Sequence, residues 1–383
     1  MHTSHLPRWA PRAALCLLLL PVSAASAQQL GPPAVRWAND FSRITSAAEL
    51  PDGRVVIVDN RDGLLYMGAA TGGTAAQLGR PGEGPNEYQR PFSVFHGRAD
   101  TLMVYASARL LRIAPNGAIA GMHVFRPQAL GGSVAPPRGT DRQGRVYWDR
   151  VVIRVPGSDQ IKRQQQVEIV RHAPGSTVVD VVATASDHAP ELHEHRFHPF
   201  AQSDAWVLEP DGTVVVVRAR DYSLQWIKDG KVLRTSASIA HTPIRIGSAD
   251  RDAFRRDRAA NPAGMSMGGA GRTADGSVTP EAMAKMLEAY PDAQFPQHKP
   301  PFVERGAFRS PGGHVWVVRS PEGPALKGNR IDVLDATGTR IRELALPAGR
   351  QLLALERGGV YLVHEDADGL QYLERYTWPQ GLR

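Results

Sequence analysis

The chain of 383 residues has a single cysteine, Cys16, and it lies inside an apolar run near the amino terminus. Once that run is removed no thiol remains, which excludes disulfides and thiolate metal sites. No stretch beyond it reaches the roughly 18 consecutive apolar residues of a membrane-spanning helix. Although the formal charge is +7, the basic residues are scattered among acids, and no Lys/Arg cluster is interleaved with aromatics. That excludes the usual footprint of a nucleic-acid-binding protein. Also missing are the G-x-S-x-G and S-x-x-K nucleophile motifs, the H-E-x-x-H zinc motif, the phosphate loop G-x-x-x-x-G-K-[ST] and the full EF-hand pattern.

The first 27 residues read as a secretory signal. Arg8 and Arg12 form a basic front with no acid, Ala13 to Leu20 are apolar, and Ala25, Ser26 and Ala27 supply the small residues before a cut at Gln28. Cys16 is followed by four leucines, unlike a lipoprotein cysteine, which ends the apolar stretch. The expected location is therefore the periplasm or the exterior. Loss of Arg8 and Arg12 lowers the charge from +7 to +5. An exported chain without disulfides must hold itself together by burying apolar surface.

Turn signals followed by β-branched or aromatic strands recur: "PDGRVVIVD" from 51, "RQGRVYWDR" from 142, "PDGTVVVVR" from 210, "PGGHVWVVR" from 311 and "RGGVYLVHE" from 357. "HGRADTLMVYA" from 96 is a degenerate copy. Gly53 and Gly144 are 91 residues apart, Gly313 and Gly359 are 46 apart, and a period of about 45 residues with several strands per unit marks propeller blades. Within the units Gly73, Gly117, Gly175, Gly230 and Gly338 mark a second turn, where glycine supplies positive φ without a Cβ penalty. Apolar runs such as Val55 to Val58 and Val214 to Val217 suit strands covered on both faces. The fold expected is all-β: a six-bladed β-propeller in one domain, residues 28–383. The last unit is one strand short, so residues 34–41 are expected to complete it and remove an open edge.

Two spacings exceed the period. The larger surplus is a helical insertion at 248–301, in or after the fourth blade. It holds "SADRDAFRRDRAA" and then "TPEAMAKMLEAYP", in which Thr279 caps a helix and Pro280 starts it. Met283, Met286, Leu287 and Tyr290 share one face of that helix.

The segment "LGRPGEGPNEYQRP" (78–91) resembles the glycine-rich linker of exported bacterial six-bladed propellers related to NHL repeats. Gly82, Gly84, Pro85, Tyr88 and Pro91 occupy its positions, with tyrosine where phenylalanine is usual. "RARDYSLQWIKDGKV" and "RIDVLDATGTRI" resemble the later blades of that group. The resemblance implies the architecture and assigns no activity. Read physically, the linker is a connector, because the stretch after it is a strand and not a phosphate-binding helix start.

Candidate site residues fall in two groups. "SDHAPELHEHRFHPF" (186–200) brings His193, His195 and His198 close in sequence. Imidazoles so spaced fit either a divalent metal site or a solvated histidine-rich loop. Charged residues at the ends of the innermost strands, Arg43, Arg90, Arg138, Glu304, Arg305 and Glu356, are candidates for the mouth of the central channel. Met265, Met267, Met283 and Met286 read as packing residues. "DNRDG" and "HEDADG" read as hairpin turns, not calcium loops. The function expected is non-catalytic binding of a small molecule, glycan or protein at the channel mouth by a monomer without a cofactor. The rival is a metal-dependent hydrolase or lactonase, which the resemblance implies for some six-bladed relatives.

Overall fold

The computed structural model describes residues 27–84, 86–125, 133–154, 164–173, 176, 178–186, 199–200, 202–260, 288 and 290–383. They form six sheets arranged as a six-bladed β-propeller. The innermost strands are Ile44–Glu49, Pro91–His96, the short pair Ser133–Val134 and Gly139–Thr140, Ala205–Leu208, Phe302–Arg309 and Arg350–Glu356. Each begins an antiparallel meander running outwards. Gly53, Gly144, Gly212 and Gly313, in the first turn of their blades, all have φ between 78° and 89°, so the repeated glycine is a backbone requirement there.

The apolar strands are explained by burial on both sides. In Val55–Asp59, Val55 and Ile57 pack against the sixth blade with Trp37 and Tyr361, whereas Val56 and Val58 pack against the second with Val94, Val104 and Leu111. Val214 and Val216 face the third blade, Val215 and Val217 the fifth. Every junction between adjacent blades thus has its own core.

Closure is made by the amino-terminal segment. Val35–Arg36 pairs antiparallel with Gln371–Tyr376 and gives the sixth blade its outer strand, and Phe41 and Gln371 exchange hydrogen bonds further along. One residue pair was not foreseen: Gln28–Gln29 runs parallel to Arg340–Ala345 as a fifth strand on blade five. Trp37 is fully buried at the seam between the last blade and the first, donating its indole N–H to the Ala69 carbonyl at 3.1 Å. It lies so close over Gly68 that a Cβ there would stand 2.3 Å from the indole nitrogen.

Four innermost strands carry a bulge, in three of them within or beside the first residues and in blade six midway. Thr45, Phe92 and Leu353 are single extra residues, and in blade five the stretch 303–306 stands opposite only Val318. Bulges bend a strand and re-aim its side chains. The insertion after the fourth blade contains the helix Ser248–Ala260. Phe254 packs on Tyr290, Phe295, Phe200, Ile246 and Leu326. Lys299, almost wholly buried, ties the helix down through Asp250 at 2.8 Å and the carbonyls of Pro321 and Gly323. Of the residues expected on the second helical face, Tyr290 joins this cluster; Met283, Met286 and Leu287 lie outside the described residues.

Deleting residues 28–41 is expected to abolish the single cooperative unfolding transition and cause aggregation, because the sixth blade loses a strand and exposes an edge. Trp37→Ala alone should cost about 3–5 kcal/mol in denaturant unfolding. A truncated protein that melts like the full chain would contradict this account of closure.

Candidate functional site

Hydrogen bonds between neighbouring blades show how the innermost strands are aligned. Near their starts Thr45 Oγ1 donates to the Phe92 carbonyl at 3.0 Å, Ser46 Oγ to Val94 at 2.9 Å, and Ser93 Oγ to Pro137 at 3.2 Å. Near their ends Thr140 Oγ1 donates to His96 at 2.9 Å. Start therefore lies beside start, and the channel has two distinct mouths.

The mouth at the starts receives Arg43, Arg90, Arg138, Glu304 and Arg305. Arg138 is the most enclosed. Its guanidinium meets Asp149 at 2.9 Å, lies 4.9 Å from the Trp206 ring centre and reaches the Trp206 carbonyl at 3.4 Å, while the Trp206 indole N–H donates to the other Asp149 oxygen. Burial draws the Arg138 pKa down; Asp149 opposes this, and the like charge of Arg305 adds to it. Arg90 and Arg305 occupy left-handed backbone, at φ 45° and 57°. The insertion connects the outer strand of blade four to the inner strand of blade five, so it leaves and re-enters the propeller at this same end.

The mouth at the ends is acidic. His96 Nε2 lies 2.7 Å from Glu356 Oε2, and Gly358 N–H donates to Glu49 at 2.7 Å. Glu49, His96 and Glu356, with Leu50, Pro51, Asp100 and Arg357, line a small open cleft. A Cβ on Gly358 would meet the Glu49 carboxylate at 2.3 Å, so a larger residue there would push that side chain aside. Burial raises the Glu49 pKa, with Glu356 adding to the effect and the Gly358 N–H opposing it. Burial resists protonation of His96, but the Glu356 charge and hydrogen bond outweigh it and raise the pKa. A carboxylate-oriented imidazole beside a second carboxyl can exchange protons with a bound group. Further round, Arg309 pairs with Glu209 at 2.6 Å.

Five of the six channel candidates thus share one mouth, and Glu356 belongs to the other. His193, His195 and His198 lie outside the described residues, as do Met265 and Met267. Among the described residues no group of three or more His, Cys, Asp or Glu side chains is arranged to hold a metal ion. Glu49, His96, Asp149, Trp206 and Phe92 were not singled out in the sequence. A signal for two of them existed: Glu49 and His96 are 47 residues apart, one blade period, which puts them at equivalent ends of adjacent strands.

No protein-family model matches the chain, and no curated protein does. Solved structures that resemble it include a putative exported protein from Bacteroides fragilis, with 10% identity, TM-score 0.44, 92% of this chain and 98% of that one covered. Another is the calcium-binding protein regucalcin from Agrobacterium tumefaciens, at 12%, 0.44, 92% and 97%. A gluconolactonase from Xanthomonas campestris gives 12%, 0.44, 92% and 96%. Likeness at that level says nothing of ligand or chemistry.

The His96–Glu356 pair gives a pH dependence of known sign. A histidine whose folded pKa is raised stabilises the fold fully below its unfolded value, near 6.5, and loses that contribution as pH rises through the folded value. The stability difference between the native protein and His96→Gln should therefore be largest in mildly acidic solution and shrink towards pH 9. An NMR titration of His96 should also show its pKa falling in Glu356→Gln; an unchanged midpoint would refute the pairing.

Proposed function

We propose that this chain is an exported, monomeric binding propeller without catalytic activity, whose ligand docks at the mouth where the innermost strands begin. The observation that carries this reading is the row of bulges in four innermost strands, at Thr45 and Phe92 next to the strand starts, across 303–306, and at Leu353 midway along its strand. A bulge interrupts a ladder, and four in a ring are more than six regular meanders require. They leave Phe92 exposed among charged residues, and an apolar ring beside placed polar groups suits recognition of a small molecule or a glycan residue. The helical insertion, pinned by Lys299, adds a wall at the same end.

The rival reading, a metal-dependent hydrolase or lactonase, draws on the buried acids Glu49 and Glu356 at the opposite mouth. Metal analysis of the purified protein separates the two. Stoichiometric metal lost on Glu49→Gln or Glu356→Gln supports the enzyme, and metal lost only on replacing His193 and His195 supports a histidine loop site. Absence of bound metal is the result expected for the binder. In a thermal-shift screen of small molecules and glycans, stabilisation by a hit should vanish in Phe92→Ala and survive in His96→Ala. The reverse pattern would move the ligand to the other mouth.

A further inference from the structure

The mouth chosen above carries four arginines, three of which have, among the described residues, no internal partner. Arg43, Arg90, Arg138 and Arg305 come from four different blades, and Arg43 and Arg90 are 47 residues apart, at equivalent positions in consecutive blades. Asp149 occupies Arg138. Among the described residues, the side chains of Arg43, Arg90 and Arg305 make no hydrogen bond or ion pair. The neighbouring acids are mostly engaged: Asp59 accepts the backbone N–H groups of Ser42, Arg43 and Asp62, and Asp62 accepts from Ser42. Glu304 is left as the one exposed acid among the channel candidates here.

The charge of Arg305 acts on Arg138, which is itself enclosed, and Glu304 offsets it; the Arg305 backbone is in the left-handed region, which is unfavourable for a residue other than glycine. Arg90 is strained in the same way. Three guanidinium groups with free donors at one mouth suit a ligand that brings its own acceptors. Guanidinium donors match the paired oxygens of carboxylate and phosphate.

We propose that this mouth binds an oxyanion, a carboxylate or phosphate carried on a sugar or another small molecule, held by Arg138 and Arg305 with Arg43 and Arg90 at the rim. The proposal rests on the reading that this mouth is the ligand site, and goes beyond it by fixing the charge of the ligand.

Two matched pairs of probes test it by calorimetry at low ionic strength: galactose with galacturonic acid, and glucose with glucose 6-phosphate. At least one acidic sugar should bind at least about tenfold more tightly than its neutral partner. Arg305→Gln and Arg43→Gln, both at exposed positions, should weaken the acidic sugar by about tenfold between them. Glu304→Gln should tighten it severalfold, an opposite sign that general loss of structure would not produce. Binding confined to the carboxylate or to the phosphate probe identifies the group. Equal binding of neutral sugars, lost in Phe92→Ala, would overturn the oxyanion proposal and leave the ligand at this mouth. Acidic-sugar binding abolished by His96→Ala and unaffected by Arg305→Gln would overturn both. No binding of either acidic sugar would overturn the oxyanion proposal.

Discussion

The structure depends on one constraint: the middle strands of the blades are apolar on both faces. Val55 to Val58, Val214 to Val217 and Val315 to Val318 cannot leave either side in water, because each exposed valine would forfeit about 1.5–3 kcal/mol of burial. A flat stack of such sheets would still expose two outer faces, whereas a ring exposes none. Each blade therefore needs both neighbours, and the last must meet the first. Trp37, brought by the amino-terminal segment, fills that final seam and links blade six to blade one. Stability is consequently a property of the ring, since loss of one junction uncovers two sheets.

The same constraint leaves the axis polar. Side chains of the innermost strands are packed sideways into the junctions, so the channel is lined by strand edges and by residues at strand ends. Hydroxyls at Ser46, Ser93 and Thr140, each 47 residues after the last, donate to neighbouring inner strands. Among the described residues, Arg43, Arg90, Arg138 and Arg305 stand at the mouth where the strands start, and Glu49, Asp100, Glu356 and Arg357 at the other. The ring that demands apolar blades thereby concentrates chemistry at its two openings.

Much of this architecture was legible in the sequence because a propeller repeats. The turn glycines recur at the blade period, the valine runs announce burial on both faces, and the missing strand of the last unit pointed to residues 34–41, where the closing strand stands. Where the repeat breaks, reading became harder. Ala99 and Asp100 make a blade-two turn without glycine, Gly358 serves close approach to Glu49, and Gln28–Gln29 joins blade five without any strand pattern of its own. The site was legible only in part, since strand ends could be named but not assigned to a mouth. That is why Glu356 was grouped with arginines at the far end of the channel.

The sequence by itself determined the number of blades, the strand that closes them and the place of the helical insertion, because period, turn chemistry and apolar runs are local properties of the chain. Only the tertiary structure decided which charged residues meet. His96 and Glu356 are 260 residues apart, and Asp149 finds Arg138 and Trp206 through the packing of separate blades. Such encounters follow from ring closure and strand register, and a bulge of one residue is enough to change which side chain faces the channel.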